Sequence, residues 1–327
     1  MLHRAIHAEY KAQIDDVLET GAKSMTLRKR ALAIAALGLC CFAFTGAAPP
    51  AAGDSAPKHF LWKVTGPTGI VYLLGTIHAA KADLYPLPAI IEDSFEKADK
   101  LIEEIDISEP AEAERAQRRL IQDGSYPNGD TITNHLSEAT RSHLAAYLKQ
   151  GDLPEPAIAH MRPWLVSMLV EQHELQRMGF DPSYGLDQHF LEEARQSHKQ
   201  IGGLEDAGSQ LKLLSSLSEE FQDRLLLSSL VDIEESQDVL DLLTRAWQSG
   251  DDAAMQELIT SSVRDYPQLK PLMTKLFDDR NIAMTAKIER FLQTPKSYFV
   301  AVGAGHLVGD NGIPSQLRRK NFTVEQL

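Results

Sequence analysis

The sequence predicts an α/β protein, of the α+β kind: a central mixed β-sheet with a large helical insertion. Three observations carry this. Uncharged, β-branched and aromatic runs at 70–74 and 298–302 read as buried strands near opposite ends of the chain. A third strand pattern, 101–107, carries three acids among aliphatic residues and comes after a helical pattern. Between the third run and the last ones, apolar residues recur every three to four positions, which is the helical period.

Strand patterns at 60–64 and 70–74 flank Gly66-Pro67-Thr68-Gly69, a hairpin turn. A helix is expected from Tyr85-Pro86-Leu87-Pro88 to about Ala98, with Ile90, Ile91, Phe95 and Ala98 on one face. The strand at 101–107 comes next. Helical segments are expected around 108–122, 135–150, 155–179, 184–198, 207–247, 251–262 and 266–293, broken by Gly or Pro clusters, with one short strand at 200–204. The strand at 298–302, a helix at 314–320 and a strand at 322–326 close the chain. The folded domain is therefore 58–327, with the insertion at about 108–295. No tandem repeat of 20–50 residues appears.

The N-terminal part is different in kind. Residues 1–27 are polar, Arg28-Lys29-Arg30 precede an uncharged run over 31–48, and 49–57 read as a linker. A basic cluster, an apolar run and small residues form the layout of an export signal. The expected location is periplasmic or in the cell envelope. A start at Met25 gives a signal of ordinary length. Left uncleaved, the 18 uncharged residues of 31–48 would just span a bilayer and tether the protein.

Composition narrows the chemistry. A net charge of −13 argues against nucleic acid as a partner, because its phosphates would be repelled. The two cysteines, Cys40 and Cys41, both lie in the uncharged run. The folded part can hold neither a disulfide framework nor a thiolate metal site nor a cysteine nucleophile. There is no His-Glu-x-x-His, no Gly-x-Ser-x-Gly and no Gly-rich phosphate loop after a strand.

Both buried strands at the two ends run into Gly-x-x-His, giving Gly75-Thr76-Ile77-His78 and Gly303-Ala304-Gly305-His306. With 20 Gly and 11 His in 327 residues, about 0.7 chance matches are expected, so it is the matched strand context that carries weight. A strand ending in Gly lets the backbone turn and presents the next side chains at the sheet's rim, where open α/β sheets bind ligands. In the strand at 101–107, Glu104 and Asp106 share one face and Glu103 points to the other. A buried carboxylate needs a partner. One reading joins these acids to His78 and His306 at the rim; the other makes them solvated acids on an edge strand or a structural pair with an arginine. Two imidazoles and a carboxylate suit a divalent ion such as Zn, Mn, Fe or Co, with a spare carboxylate as base. Glu205 lies just past a strand end and also fits as a neighbour of a helix N-cap. Arg280-Asn281 lies in a helical pattern, where a solvated face is the plain reading and a substrate-binding arginine the functional one.

Together these residues resemble the TraB/GumN family. The resemblance rests on Leu73 to His78, the strand with Glu104 and Asp106, Pro163-Trp164, Tyr184-Gly185-Leu186-Asp187, Gly203-Leu204-Glu205 with Gln210, Arg280-Asn281, and Val302 to Gly309, in that order. It covers about 58–327. The family includes the animal TIKI proteins, described as metal-dependent peptidases with two Gly-x-x-His motifs and a glutamate, and bacterial proteins linked to control of peptide pheromones. The resemblance implies His78 and His306 as metal ligands, Glu104 as ligand or catalytic base, and Arg280 and Asn281 as lining residues. It implies a metal-dependent hydrolase with a peptide or small-molecule substrate. The same histidines would also serve a protein that binds a peptide or haem without turnover.

Overall fold

The computed structural model describes residues 58–327 apart from 107–109, 128, 151–152, 232 and 266–269. The leader and linker expected over 1–57 lie outside the described residues. No helix among the described residues is long and apolar enough to cross a membrane.

The fold opens with a hairpin of β1 (Leu61–Thr65) and β2 (Ile70–Thr76), in which Thr65 faces Ile70. The Gly66 N–H donates to the Gly69 carbonyl at 2.9 Å and closes the turn. Then come α1 (Ala89–Lys97) and β3 (Lys100–Ile105). Next, α2 (Pro110–Gly124), α3 (Glu138–Leu148), α4 (Pro163–Arg177) and α5 (Leu186–Gln196) lead to β4 (Gln200–Glu205). The chain continues through α6 (Ala207–Ser215), α7 (Glu219–Val231), α8 (Ile233–Gln248), α9 (Asp252–Asp265) and, after a π-helical turn (Thr274–Asp278), α10 (Asp279–Phe291). It ends with β5 (Ser297–Gly303), α11 (Ile313–Arg319) and β6 (Thr323–Gln326).

The six strands form one mixed sheet in the order β4-β3-β5-β2-β1-β6. β4, β3, β5 and β2 run parallel, while β1 pairs antiparallel with both β2 and β6. The insertion is not wholly helical, because β4 returns to the sheet and covers the free side of β3. β3 is therefore an interior strand, and the edge-strand reading of Glu104 and Asp106 does not hold. Two long helical patterns are also broken up. Residues 155–179 divide before Pro163, which suits the first turn of a new helix because it lacks an N–H to donate. Residues 207–247 divide at 216–218, where the Ser218 hydroxyl accepts the Phe221 N–H at 3.2 Å and starts α7.

Helices cover both faces of the parallel strands, which is why β2 and β5 read as nearly unbroken apolar runs. On one face Phe95 of α1, Phe190 of α5 and Phe299 of β5 pack with ring centroids 4.8–5.4 Å apart. On the other, α10 contributes Met284 and Ile288, both fully buried. The Trp247 indole of α8 donates to the Gly75 carbonyl at 2.6 Å. A second apolar cluster joins α3, α4 and α7 through Leu144, Val166, Val170 and Leu226.

Close to that second cluster, Glu171 of α4 is buried. Its Oε1 accepts from the Ser229 hydroxyl at 2.6 Å and from Ser167 at 3.3 Å, and its Oε2 has no partner. Burial pushes its carboxyl up to about 8, against the pull of those two hydroxyls. The folded state thus keeps a proton that the unfolded chain releases above its ordinary value near 4.5. Stability contributed by the neutral carboxyl falls as pH rises from there through about 8. Glu171→Gln should therefore raise the melting temperature at pH 8, by roughly 2–4 °C per kcal/mol recovered, and much less at pH 5. Thermal melts of both proteins at the two pH values check this.

Candidate active site at the sheet rim

The parallel pairing of β2 with β5 sets Thr76 opposite Gly303, so the two Gly-x-x-His segments leave neighbouring strands at the same end. Glycine is needed at Gly75 for a reason other than turning. Gly75 lies within β2, and its φ is not positive. The Phe60 ring and the Ala304 Cα, 3.2 Å from where a Cβ would sit, leave no room for a side chain. The requirement is for space between layers.

Each histidine is held by a different helical layer. His78 Nδ1 is 2.6 Å from Asp187 Oδ2, at the start of α5, and the Thr76 hydroxyl donates to Asp187 Oδ1 at 2.7 Å. Gly185 allows that approach, because a Cβ there would collide with the His78 carbonyl. His306 is buried, and its Nδ1 is 2.6 Å from Asn281 Oδ1 of α10. The Asn281 amide donates in turn to the Asn311 carbonyl at 2.9 Å, which fixes the oxygen toward His306. An ionised carboxylate and an amide oxygen only accept, so Nδ1 carries the proton in both rings and Nε2 is left with its lone pair when the ring is neutral.

Glu104 stands beside His306 and within the field of His78, and its two oxygens are shared out. Oε1 accepts the Gly303 N–H at 2.7 Å and lies 3.5 Å from His306 Nε2. Oε2 accepts from Arg280 Nη2 at 2.8 Å and Gln210 Nε2 at 3.0 Å. Arg280 also binds Glu205 through Nε, at 3.0 Å to each carboxylate oxygen, and through Nη2 at 2.7 Å. The guanidinium, only 13 % exposed, is thus gripped by two carboxylates. Its Nη1 donates to the Leu276 carbonyl of the π-helical turn at 3.0 Å. Glu205 belongs to this ion-pair cluster, while Asp206 caps α6 by accepting the Ser209 N–H. Arg280 and Asn281 face inward, so the solvated-face reading does not hold for them. Asp106, just beyond β3, lies beside Gly203, and its charge acts on Glu103.

These contacts set the electrostatics. Desolvation disfavours a charge on Glu104, but His306, Arg280 and His78 together with the Gly303 N–H outweigh it and hold the carboxyl down near about 2. Desolvation draws His306 down to about 4, against the nearby Glu104 charge. Desolvation also opposes a charge on His78, yet the charge and hydrogen bond of Asp187, with the charge of Glu104, carry it up to about 9. The His78 side chain keeps 39 % exposure, so solvent screens part of that field. Glu103, on the opposite face of β3 from Glu104, is 4 % exposed, and its Oε1 has no partner. Burial, with the charges of Asp187 and Asp106, pushes it up to about 8.

The donor chemistry fits a divalent ion: two imidazole Nε2 atoms and a carboxylate oxygen. The 3.5 Å between His306 Nε2 and Glu104 Oε1 suits two ligands each about 2.0–2.2 Å from one ion. As the side chains stand, no three His, Cys, Asp or Glu groups converge in metal-binding geometry among the described residues.

The model of the TraB/PrgY/gumN family matches residues 60–326, nearly the whole of the described chain. The chain belongs to the TraB/PrgY/gumN family. Among its relatives is the uncharacterized protein YbaP of Escherichia coli K12, 26% identical over 251 residues, which span 76% of this chain and 87% of YbaP. An uncharacterized protein of Treponema pallidum is 24% identical over 307 residues, covering 86% of this chain and 87% of its own. A protein of Nematostella vectensis named Metalloprotease TIKI homolog is 22% identical over 337 residues, covering 83% of this chain and 68% of its own. No solved structure matches the chain.

Sequence reasoning did not assign a site role to Asp187, Thr76, Gln210 or Glu103. Asp187 and Gln210 stood within motifs that carried the family resemblance, but no local pattern points an acid at a histidine 109 residues away. Asp187→Asn should lower the His78 titration midpoint from about 9 by roughly 1–3 units, the range an adjacent charge commonly sets. Imidazole NMR of the metal-free protein measures it.

Proposed function

We propose that this protein is an exported, metal-dependent hydrolase that acts on peptides. The observation that carries the proposal is the paired presentation of His78 and His306. Each is fixed through Nδ1 by a residue of a different helical layer and keeps Nε2 clear of that bond, and His306 Nε2 lies 3.5 Å from Glu104 Oε1. The name of the Nematostella relative, a metalloprotease TIKI homolog, supports the same class. Export rests on the layout of residues 28–48.

His78 Nε2, His306 Nε2 and Glu104 Oε1 are the atoms that would hold the ion, which would be Mn, Co, Zn or Fe. Such an ion supplies Lewis-acid stabilisation of charge developing on a carbonyl oxygen. The rest falls to the chain. Asp187 and Asn281 set the ring orientations and tautomers. Arg280, Gln210 and the Gly303 N–H keep the Glu104 carboxylate ionised and in place. A carboxyl held near about 2 is too acidic to take a proton efficiently at neutral pH, which favours the ligand role for Glu104 over the role of base.

A second reading is favoured by the opposite shifts of the two rings. His78 as imidazolium and His306 as neutral base would form an acid–base pair that works without a metal.

The test is metal content and peptide cleavage of the purified protein. His78→Ala and His306→Ala should each lose the ion and lower cleavage by at least roughly 10–100-fold. Variants with full metal and full cleavage would falsify the proposal, and cleavage indifferent to chelators would favour the metal-free pair. Ion uptake at pH 7 should also release about one proton, from His78. Calorimetry in two buffers of different ionisation enthalpy counts that proton.

A further inference from the structure

The residues that hold His306 also wall a cavity of about 370 Å³ on the α9 side of the site. Asn281 and Gly305 line it, and so does Phe277, whose ring centroid lies 5.2 Å from that of His306. Opposite walls come from Ile259 of α9, Met273 before the π-helical turn and Val308 after β5. The volume is within the range of ligand sites, about 300–1,000 Å³. The charged groups around it, Arg264, Lys270, Asp278 and Asp310, are two of each sign, so they give no net pull on an ionic ligand.

The π-helical turn gives this wall a reason to exist. A π turn adds a residue to the helical repeat and rotates the face presented by the next helical turns, and such turns recur at functional sites. Here one turn sends Phe277 against Gly305 and into the cavity wall, and leads into α10 where Arg280 and Asn281 meet Glu104 and His306. Cavity and candidate site are thus built by the same five-residue segment and the start of the same helix.

We infer that this cavity receives an apolar side chain, aromatic or branched aliphatic, of a peptide ligand. Given the hydrolase reading above, on which this extension rests, it is the subsite that selects the residue next to the cleaved bond. Ile259, Met273, Phe277 and Val308, the apolar part of a lining that also holds Gln256, Thr274 and Asn311, recognise the side chain, the balanced charges exclude no neighbouring residue, and Asn281 with Gly305 places the occupant one side chain away from His306.

The experiment measures binding apart from turnover. Protein labelled at Ile, Val and Met methyls is titrated with N-acetyl-phenylalanine amide and, separately, N-acetyl-asparagine amide. Saturable shifts are expected at Ile259, Met273 and Val308 with the phenylalanine probe, and binding at least about tenfold weaker with the asparagine probe. Thr260 is an exposed lining residue, so Thr260→Trp should obstruct the cavity without disturbing the core and abolish the shifts. No saturable shift at these methyls, equal binding of both probes, or shifts unchanged in Thr260→Trp overturns the inference. In the second arm, peptides cut by the wild type should share an apolar residue at a fixed distance from the cut, and Thr260→Trp should lose that preference. Cleavage without any preference overturns the subsite and leaves the hydrolase standing. Binding of the phenylalanine probe by a protein that cleaves nothing upholds the apolar pocket and rejects the hydrolase.

Discussion

A carboxylate buried at the end of an interior strand must be compensated, and the compensation of Glu104 organises this protein's rim. Three donors meet it, the Gly303 N–H, Gln210 and the Arg280 cation, and the His306 ring lies beside it. They come from β5, α6, α10 and the segment after β5. Removing one side of such a buried pair typically costs ~3–5 kcal/mol, because the remaining charge is left uncompensated. The cluster therefore ties three separate parts of the chain to one point. Glu205 adds a second carboxylate to the same guanidinium, which locks Arg280 and leaves the group with a surplus negative charge.

That surplus gives the site its character. Two imidazoles and a carboxylate at the edge of a negatively biased cluster are suited to a cation or to an imidazolium. The two layers of helices prepare the rings in different ways. Asp187 holds His78 with a full charge, partly open to solvent, whereas Asn281 holds His306 with a neutral amide in a buried setting. The same strand-Gly-x-x-His device thus yields two rings of opposite protonation preference.

Much of the architecture was legible in the chain. Strands β2 and β5 stand out because strands covered on both faces lose their polar alternation. The hairpin turn and most helices could be read from glycine, proline and apolar spacing. The helix breaks at 216–218 and before Pro163 were harder, because a serine hydroxyl cap or a change of direction leaves the apolar period nearly intact. The π-helical turn was not legible at all, since one added residue in a helix leaves no local mark. The strand-Gly pattern suggests a turn that Gly75 does not make; its real constraint is the Phe60 ring, which belongs to another strand end.

By itself, the sequence determined the fold class, the two Gly-x-x-His segments, the absence of thiolate chemistry from the folded part, and the resemblance that the family match bears out. These properties are carried by residue type and short-range spacing. Only the tertiary structure decided that β4 makes β3 an interior strand, that Arg280 bridges Glu104 and Glu205, and that Asp187 and Asn281 orient the two rings. The physical reason is that burial and hydrogen-bond partners depend on elements 25 to 176 residues apart in the chain, brought together by packing on a shared sheet.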